Sequence, residues 1–418
     1  MTKVKNPAAS GAQTRRMARP SSPAMLMRAP HRLLFFIGAG NLLLAMLWWA
    51  LWLGALRGLW VAQPPPLPAA WLHALLMQYL VLPSFIFGFL LTVFPRWMGQ
   101  PELPRRCYAP VGAGLFGGQA LLIAAACGWS AGLWPGLLLA VAGWTAGLFV
   151  LGGVLKAAGA NRNWHARACF AALLLGWLGL LLFLAVACGH ATLMPVHVAL
   201  GTFGLLLPVY LTVAHRMIPF FANNVVAGYV PWRPLRWLAA MWALMLLRLL
   251  LIAVQSDVWL WLADAPLLAL SIQALWRWWP RGPMPGLLLA LLLALAWLPL
   301  SFALYLLQDI APLLGHPQLL GRAPLHALAV GLFGSLLVAM VTRVTQGHSG
   351  RPLVMPPVAW FAFVALQAVA IMRIVAELMP DVYAWHFAAA IGWLLALAPW
   401  VVRLGWIYLS PRRDGKPG

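Results

Sequence analysis

Charge is scarce in this sequence. Only 8% of the 418 residues are charged and seven are acidic, whereas 63% are hydrophobic. A soluble domain has about 25% charged and about 45–50% apolar residues. No water-soluble fold could keep so much apolar surface away from water, so the composition excludes a soluble domain. It predicts instead that a lipid bilayer surrounds most of the chain.

Cysteine is equally rare, and the four cysteines, Cys107, Cys127, Cys169 and Cys188, lie far apart. They form no CxxC pair and show no Cys/His spacing typical of a metal site. We interpret all four as small apolar residues of helices. A Cys127–Cys188 disulfide on the outer side stays open as an alternative.

Positive charge, in contrast, is plentiful. Lys and Arg total 28 and give a formal net charge of +21. They lie mostly in the tails and short connections, where basic residues orient membrane helices and contact anionic lipid headgroups. We therefore expect membrane lipid, and not nucleic acid, to be the partner of this charge.

Twelve apolar runs are each long enough for a membrane-spanning helix of about 20 residues. Only helices or closed barrels satisfy their backbone hydrogen bonds in lipid, and Leu/Ala-rich runs of this length are not the alternating segments of a barrel. The sequence therefore predicts an all-α, polytopic membrane helix bundle of about twelve transmembrane helices. The predicted spans are 33–56, 71–95, 109–127, 133–155, 168–189, 195–215, 234–254, 258–277, 285–308, 324–345, 355–378 and 384–409.

The distribution of Lys and Arg also predicts an orientation. Every second connection, starting from the basic N-terminal tail, carries several of them, and the opposite loops collect Asp257, Asp309 and Asp381. By the positive-inside rule, this predicts a multi-pass protein of the bacterial inner (cytoplasmic) membrane with both termini cytoplasmic. The expected parts are a disordered basic tail at 1–30, the transmembrane domain at 31–410 and a second cytoplasmic tail at 411–418.

Three histidines recur at equivalent positions. His73, His197 and His326 open the second, sixth and tenth spans, and this spacing indicates a three-fold repeat of four-helix units. An imidazole within a membrane is a functional candidate because its burial needs a compensating partner, and it is a common ligand of haem and copper. The alternative, that each histidine lies in the headgroup region, stays open. Each of these spans closes on an inner arginine: Arg96, Arg216 and Arg343.

Our preferred hypothesis is a haem between the second and tenth helices. His73 and His326 are its expected axial ligands, with His197 as an alternative ligand or a copper ligand. Arg322 precedes His326 by four residues and is expected to pair with a haem propionate. Small residues beside these histidines, such as Gly88, Gly201 and Gly331, fit a flat macrocycle or, as the alternative, ordinary packing of helices against each other.

Other histidines are further metal candidates. His386 opens the last span beside Trp385, as a ligand or as an interfacial anchor. His348 lies roughly 30 Å along the helix from His326, at a rise of about 1.5 Å per residue, and cannot share its metal. We expect His348 to form a second, inner site with His215, or else to stabilise its turn.

Three segments carry a resemblance to a known family. They are HALLMQYLVLPSFIFGFLLTVFPRWMGQP at 73–101, HRMIPFFANN at 215–224 and HALAVGLFGSLLVAMVTRVTQGHSGRPL at 326–353. Together, in this order and with this number of spans, they resemble the NnrS family. The resemblance implies an integral membrane protein of the response to nitric oxide (nitrosative stress), with haem and copper bound at histidines and nitric oxide as the small-molecule ligand. It leaves open whether the protein is an enzyme that detoxifies nitric oxide or only binds it.

The chain departs from the family pattern at three positions. Leu75 and Leu76 stand where the family has a second histidine and a glutamate, and His215 stands where it usually has glycine. The two leucines remove one ligand position and its orienting carboxylate, so this is a divergent member. Two other functions stay open: a secondary transporter, for which acids within the membrane are few, and a non-catalytic sensor or assembly factor that has lost metal ligands.

Overall fold

The computed structural model describes residues 22–159, 161–316 and 320–414, and this part of the chain is helical without a strand. Twelve helices are long and apolar enough to cross a membrane. The predicted all-α polytopic bundle of twelve spans is therefore confirmed. We number them α1 Pro30–Leu56, α2 Ala69–Trp97, α3 Arg105–Ala126, α4 Ser130–Ala157, α5 Trp164–Ala187, α6 Ala191–Val225, α7 Leu235–Ala253, α8 Asp257–Trp278, α9 Gly286–Leu314, α10 Ala323–Ser349, α11 Pro357–Leu378 and α12 Val382–Leu409.

The main boundary error concerns α6. We predicted that it ends at His215, before a charge and a proline, but the helix continues to Val225 with Pro219 inside it. The Arg216 guanidinium lies over the ring of Trp97, 4.7 Å from its centre, so the charge has a partner and does not end the helix. The HRMIPFFANN segment is therefore helical and not a loop.

Both ends of the described chain meet at one end of the bundle. The Ser22 amide donates a hydrogen bond to the Leu409 carbonyl at 3.0 Å, and the Arg413 amide donates to Ser349 at 3.1 Å. Residues 23–28 form a short 3₁₀ helix whose Met25 is buried, so this part of the predicted disordered tail is ordered. Residues 1–21 and 415–418 of the two predicted tails lie outside the described residues. We call this end of the bundle the tail end and the opposite end the cavity end.

Each helix packs against the next one in the chain, and α12 packs against α1. The most buried spans are α2, α6 and α10. In the most apolar stretch of each, 83%, 72% and 78% of the residues are buried, against at most 61% in the other nine spans. These three helices, which carry His73, His197 and His326, therefore form the centre. Because they lie four apart in the chain, the arrangement agrees with the predicted repeat.

The three central helices share a π-helical segment just after the histidine. The segments are Met77–Val81 in α2, Leu200–Leu206 in α6 and Ala327–Gly334 in α10. π-helical turns are rare and occur frequently at functional sites. A local widening of the helix at the same place in all three central spans therefore points to the cavity end as the functional region.

Candidate functional site

A cavity of about 900 Å³ lies at the cavity end, between the central helices and α7, α8 and α9. A smaller pocket of about 90 Å³ continues from it towards α11 and α12. Ligand and cofactor sites have volumes of about 300–1,000 Å³, so the main cavity has room for a cofactor. His73 and His326 line both spaces, together with Gln78 and Thr202.

His73 projects from the second turn of α2 into this wall. Its ring stacks on Trp49 of α1, with 4.4 Å between ring centres and 18° between the planes. The Nδ1 atom is buried and has no hydrogen-bond partner in the described structure. A buried imidazole nitrogen without a partner is unfavourable, so this side chain is held in place by aromatic packing and still lacks a polar partner.

His326 lies in the first turn of α10, across the cavity wall from α2. Its Nδ1 is 2.9 Å from the Arg322 carbonyl oxygen. A carbonyl can only accept, so Nδ1 carries the proton and the lone pair is on Nε2. A hydrogen bond of this kind fixes the tautomer of a metal-binding histidine, so Nε2 is prepared to bind iron or another metal.

Cationic and acidic groups border the two histidines. Arg322 lies on the rim of the main cavity, and Arg373 lines the smaller pocket. Arg373 donates to Glu377 at 2.7 Å, and His386 Nε2 lies 3.3 Å from the same carboxylate. The structure therefore brings His386 into the same site, but one of its nitrogens is engaged by Glu377.

His197 is placed differently from the other two repeat histidines. Its ring lies between Tyr79, 4.5 Å away and nearly parallel, and Phe183, 4.8 Å away. Nδ1 donates to the Gly179 carbonyl at 2.8 Å, and the buried Nε2 has no partner. His197 does not belong to the described lining of either space. The predicted shared site with His73 and His326 would thus require His197 to leave its aromatic stack.

The predicted inner site of His348 and His215 is not formed, because the two side chains belong to separate pairs at the tail end. His348 lies in the last turn of α10, not in a loop, and its ring is 4.4 Å from that of His31 on α1. His215 Nδ1 lies 2.9 Å from His165 Nε2 of α5. His31 belongs to α1 and His165 to α5, so His348 and His215 are engaged by different neighbouring helices.

Leu75 and Leu76 stand where the family pattern has a histidine and a glutamate. Both are fully buried, and neither belongs to the described lining of the two spaces. The sequence change at these positions therefore leaves His73 and the rest of the cavity wall intact.

Sequence reasoning overlooked a charged cluster within the membrane. Arg248 of α7 forms ion pairs with Asp264 of α8 and, at 3.6 Å, with Asp309 of α9. Its guanidinium lies between the rings of Phe203 and Tyr305, at 4.8 and 4.3 Å from their centres. We had assigned Asp309 to an outer loop, but α9 extends to Leu314 and includes it. The available signal was Arg248 itself, a single charge inside an apolar run.

The described residues contain no group of three or more His, Cys, Asp and Glu side chains arranged to hold a metal ion. Haem iron, by contrast, takes only one or two axial protein ligands. All four cysteines are free, so the Cys127–Cys188 disulfide is not formed.

Comparison with known proteins gives a family match. A search of curated proteins gives no match. The family model described as NnrS protein matches residues 25–412, which is nearly the whole chain and includes all twelve spans and the cavity. The chain therefore belongs to the NnrS family.

Proposed function

We propose that this member of a nitric-oxide-response membrane family binds a haem in the cavity and nitric oxide at that haem. One observation carries the proposal: two histidines from two central helices line one cavity of cofactor size. Supporting it, His326 has its Nε2 lone pair free, and His73 has a buried nitrogen without a partner. Copper stays a prediction from the sequence, since the described residues include no group of three or more His, Cys, Asp and Glu side chains that would support a copper site.

The walls fit a flat, largely apolar cofactor with acidic edges. In the main cavity, Met77, Val198, Phe203, Leu325 and Ala329 supply apolar surface, and Gln78 and Thr202 supply polar atoms. Arg322, on the rim of the main cavity, is placed to pair with a propionate, as carboxylates prefer guanidinium partners. These side chains would hold and orient the group.

When bound, haem would supply an iron that takes nitric oxide as a ligand. The chain's own contribution would be to hold the two imidazoles that line the cavity. The Arg322 carbonyl keeps the proton of His326 on Nδ1, and Trp49 restricts rotation of His73. The apolar surroundings lower the local dielectric constant and favour an uncharged diatomic ligand over water.

The direct test is the visible absorption spectrum of the protein purified from haem-replete cells. We expect a Soret band that shifts on reduction with dithionite and shifts again on addition of nitric oxide. Pyridine haemochrome analysis would measure the amount of haem per chain. A colourless protein would overturn the haem proposal, and a Soret band unmoved by nitric oxide would overturn the proposed ligand.

A secondary transporter is the second candidate. The specific observation in its favour is the Asp264–Arg248–Asp309 cluster, because transporters couple substrate movement to ions through charged groups within the membrane. A protein without haem whose thermal stability rises with a small-molecule substrate would favour this alternative.

We further propose that the tail end faces the cytoplasm of the inner membrane. Basic residues concentrated in the tail-end connections support this orientation. Single-cysteine variants test it, since Cys127 and Cys188 are exposed at the cavity end and Cys107 lies at the tail end. A membrane-impermeant maleimide added to spheroplasts should label Cys127 and Cys188, and Cys107 only after permeabilisation. The reverse pattern would invert the topology.

A further inference from the structure

The buried cluster of α7, α8 and α9 does not balance its charges. One guanidinium, Arg248, faces two carboxyl groups, Asp264 and Asp309, whose side chains are 0% and 7% exposed. Each other acid has its own partner or lies in contact with water. Glu102, Glu377, Asp381 and Asp414 pair with Arg96, Arg373, Arg57 and Arg412, and Asp257 is exposed.

Two carboxylate oxygens of the cluster have no hydrogen-bond donor. Asp264 Oδ1 and Asp309 Oδ2 are buried and have no donor within hydrogen-bonding distance in the described structure. Both carboxyl groups pair with the same guanidinium nitrogen, Nη1 of Arg248, so they lie close to each other. Two ionised carboxylates in this position would repel each other in a medium of low dielectric constant, whereas one proton between them satisfies both.

Arg248 does not pair equally closely with both carboxylates. Its guanidinium is held between Phe203 and Tyr305, and it contacts Asp264 more closely than Asp309. Asp309, the less closely paired carboxyl, lines the cavity together with Arg248, Tyr305 and Gln308. Of the remaining charged groups, the exposed Asp257 also faces this cluster and adds negative charge.

We propose that Asp264 and Asp309 form a proton-binding site that holds one proton at neutral pH and exchanges it with the cavity through Asp309. The site neutralises the cluster, so that the three groups together carry no net charge in the membrane. It is a place within the protein where a proton can be stored next to the cavity. This inference does not depend on haem, because it rests on residues other than the two histidines His73 and His326.

Infrared spectroscopy of the full-length protein in lipid nanodiscs tests the proposal. At pH 7 we expect the C=O stretching band of one protonated carboxylic acid per chain, shifted in D₂O as the proton exchanges. Asp264→Asn and Asp309→Asn should each abolish the band, because the remaining carboxylate then pairs alone with Arg248. Asp381→Asn, an exposed acid at the same end of the bundle that pairs with Arg57 outside this cluster, is the matched control and should leave the band unchanged.

Several outcomes would overturn the inference. The absence of any protonated-acid band in the wild type at pH 7 would show that both carboxyl groups are ionised. A band that persists in both asparagine variants would belong to another acid. A band that appears only when Na⁺ is replaced by a large organic cation would identify a metal-cation site in place of a proton site. If the variants fail to fold, the absence of a wild-type band at pH 7, or its appearance only without Na⁺, still overturns the inference.

Discussion

Replacement of His326 or His73 by alanine is expected to remove the haem from the purified protein. His326 lines the cavity with its Nε2 lone pair free, and His73 lines the same cavity from α2. Loss even of a residue that supports a metal ligand lowers affinity by about 10–100-fold, so loss of the ligand itself should lower haem content by at least about tenfold. The measurement is the Soret absorbance per chain and the pyridine haemochrome.

His190→Ala is the matched control for these two variants. His190 is exposed in the connection before α6, at the same end of the bundle, and should be replaceable without loss of haem. External imidazole added to His326→Ala during haem reconstitution should restore part of the Soret band. Retention of full haem in both alanine variants, with normal folding, would show that the cofactor binds elsewhere.

The second large effect is expected at the charged cluster. Asp264→Asn or Asp309→Asn alone leaves one carboxylate for Arg248, and each should lower stability only modestly. The double variant leaves the guanidinium buried without an anion. Breaking a buried ion pair by removing one partner costs about 3–5 kcal/mol, so the double variant should lose far more stability than the sum of the single ones.

A triple variant provides the control for this non-additivity. Adding Arg248→Gln to the double variant removes the unpaired charge, and thermal stability in detergent should largely return. The measurement is the midpoint of thermal aggregation of the solubilised protein, compared across the four variants and the wild type. Strict additivity of the two asparagine substitutions would show that Arg248 does not depend on this pair of acids.

Much of the architecture was predictable from the sequence because the bilayer imposes strong rules. A helix must be about 20 apolar residues long, and its backbone must be internally bonded, so composition and run length suffice to count twelve spans. The equivalent positions of His73, His197 and His326 further indicated the repeat. The motif segments led to the family, which the match over residues 25–412 confirmed.

The partners of individual side chains were not predictable in this way. The one-dimensional pattern places His73, His197 and His326 at similar depth, but it does not tell which way each ring points. In the structure His73 and His326 face the cavity, while Tyr79 and Phe183 enclose His197. A rotation of one residue about a helix turns a side chain by about 100°, and only packing against neighbouring helices selects the direction.

The sequence by itself determined that lipid surrounds most of the chain, and it determined the number of spans and the family. Hydropathy and motif order are properties of the chain read along its length. Only the tertiary structure decided which charges meet. Arg248, Asp264 and Asp309 come from three helices and form one cluster, and His348 pairs with His31 in place of His215. Such contacts depend on how helices distant in the chain pack, and in lipid that packing follows side-chain shape and polar pairing more than hydrophobicity.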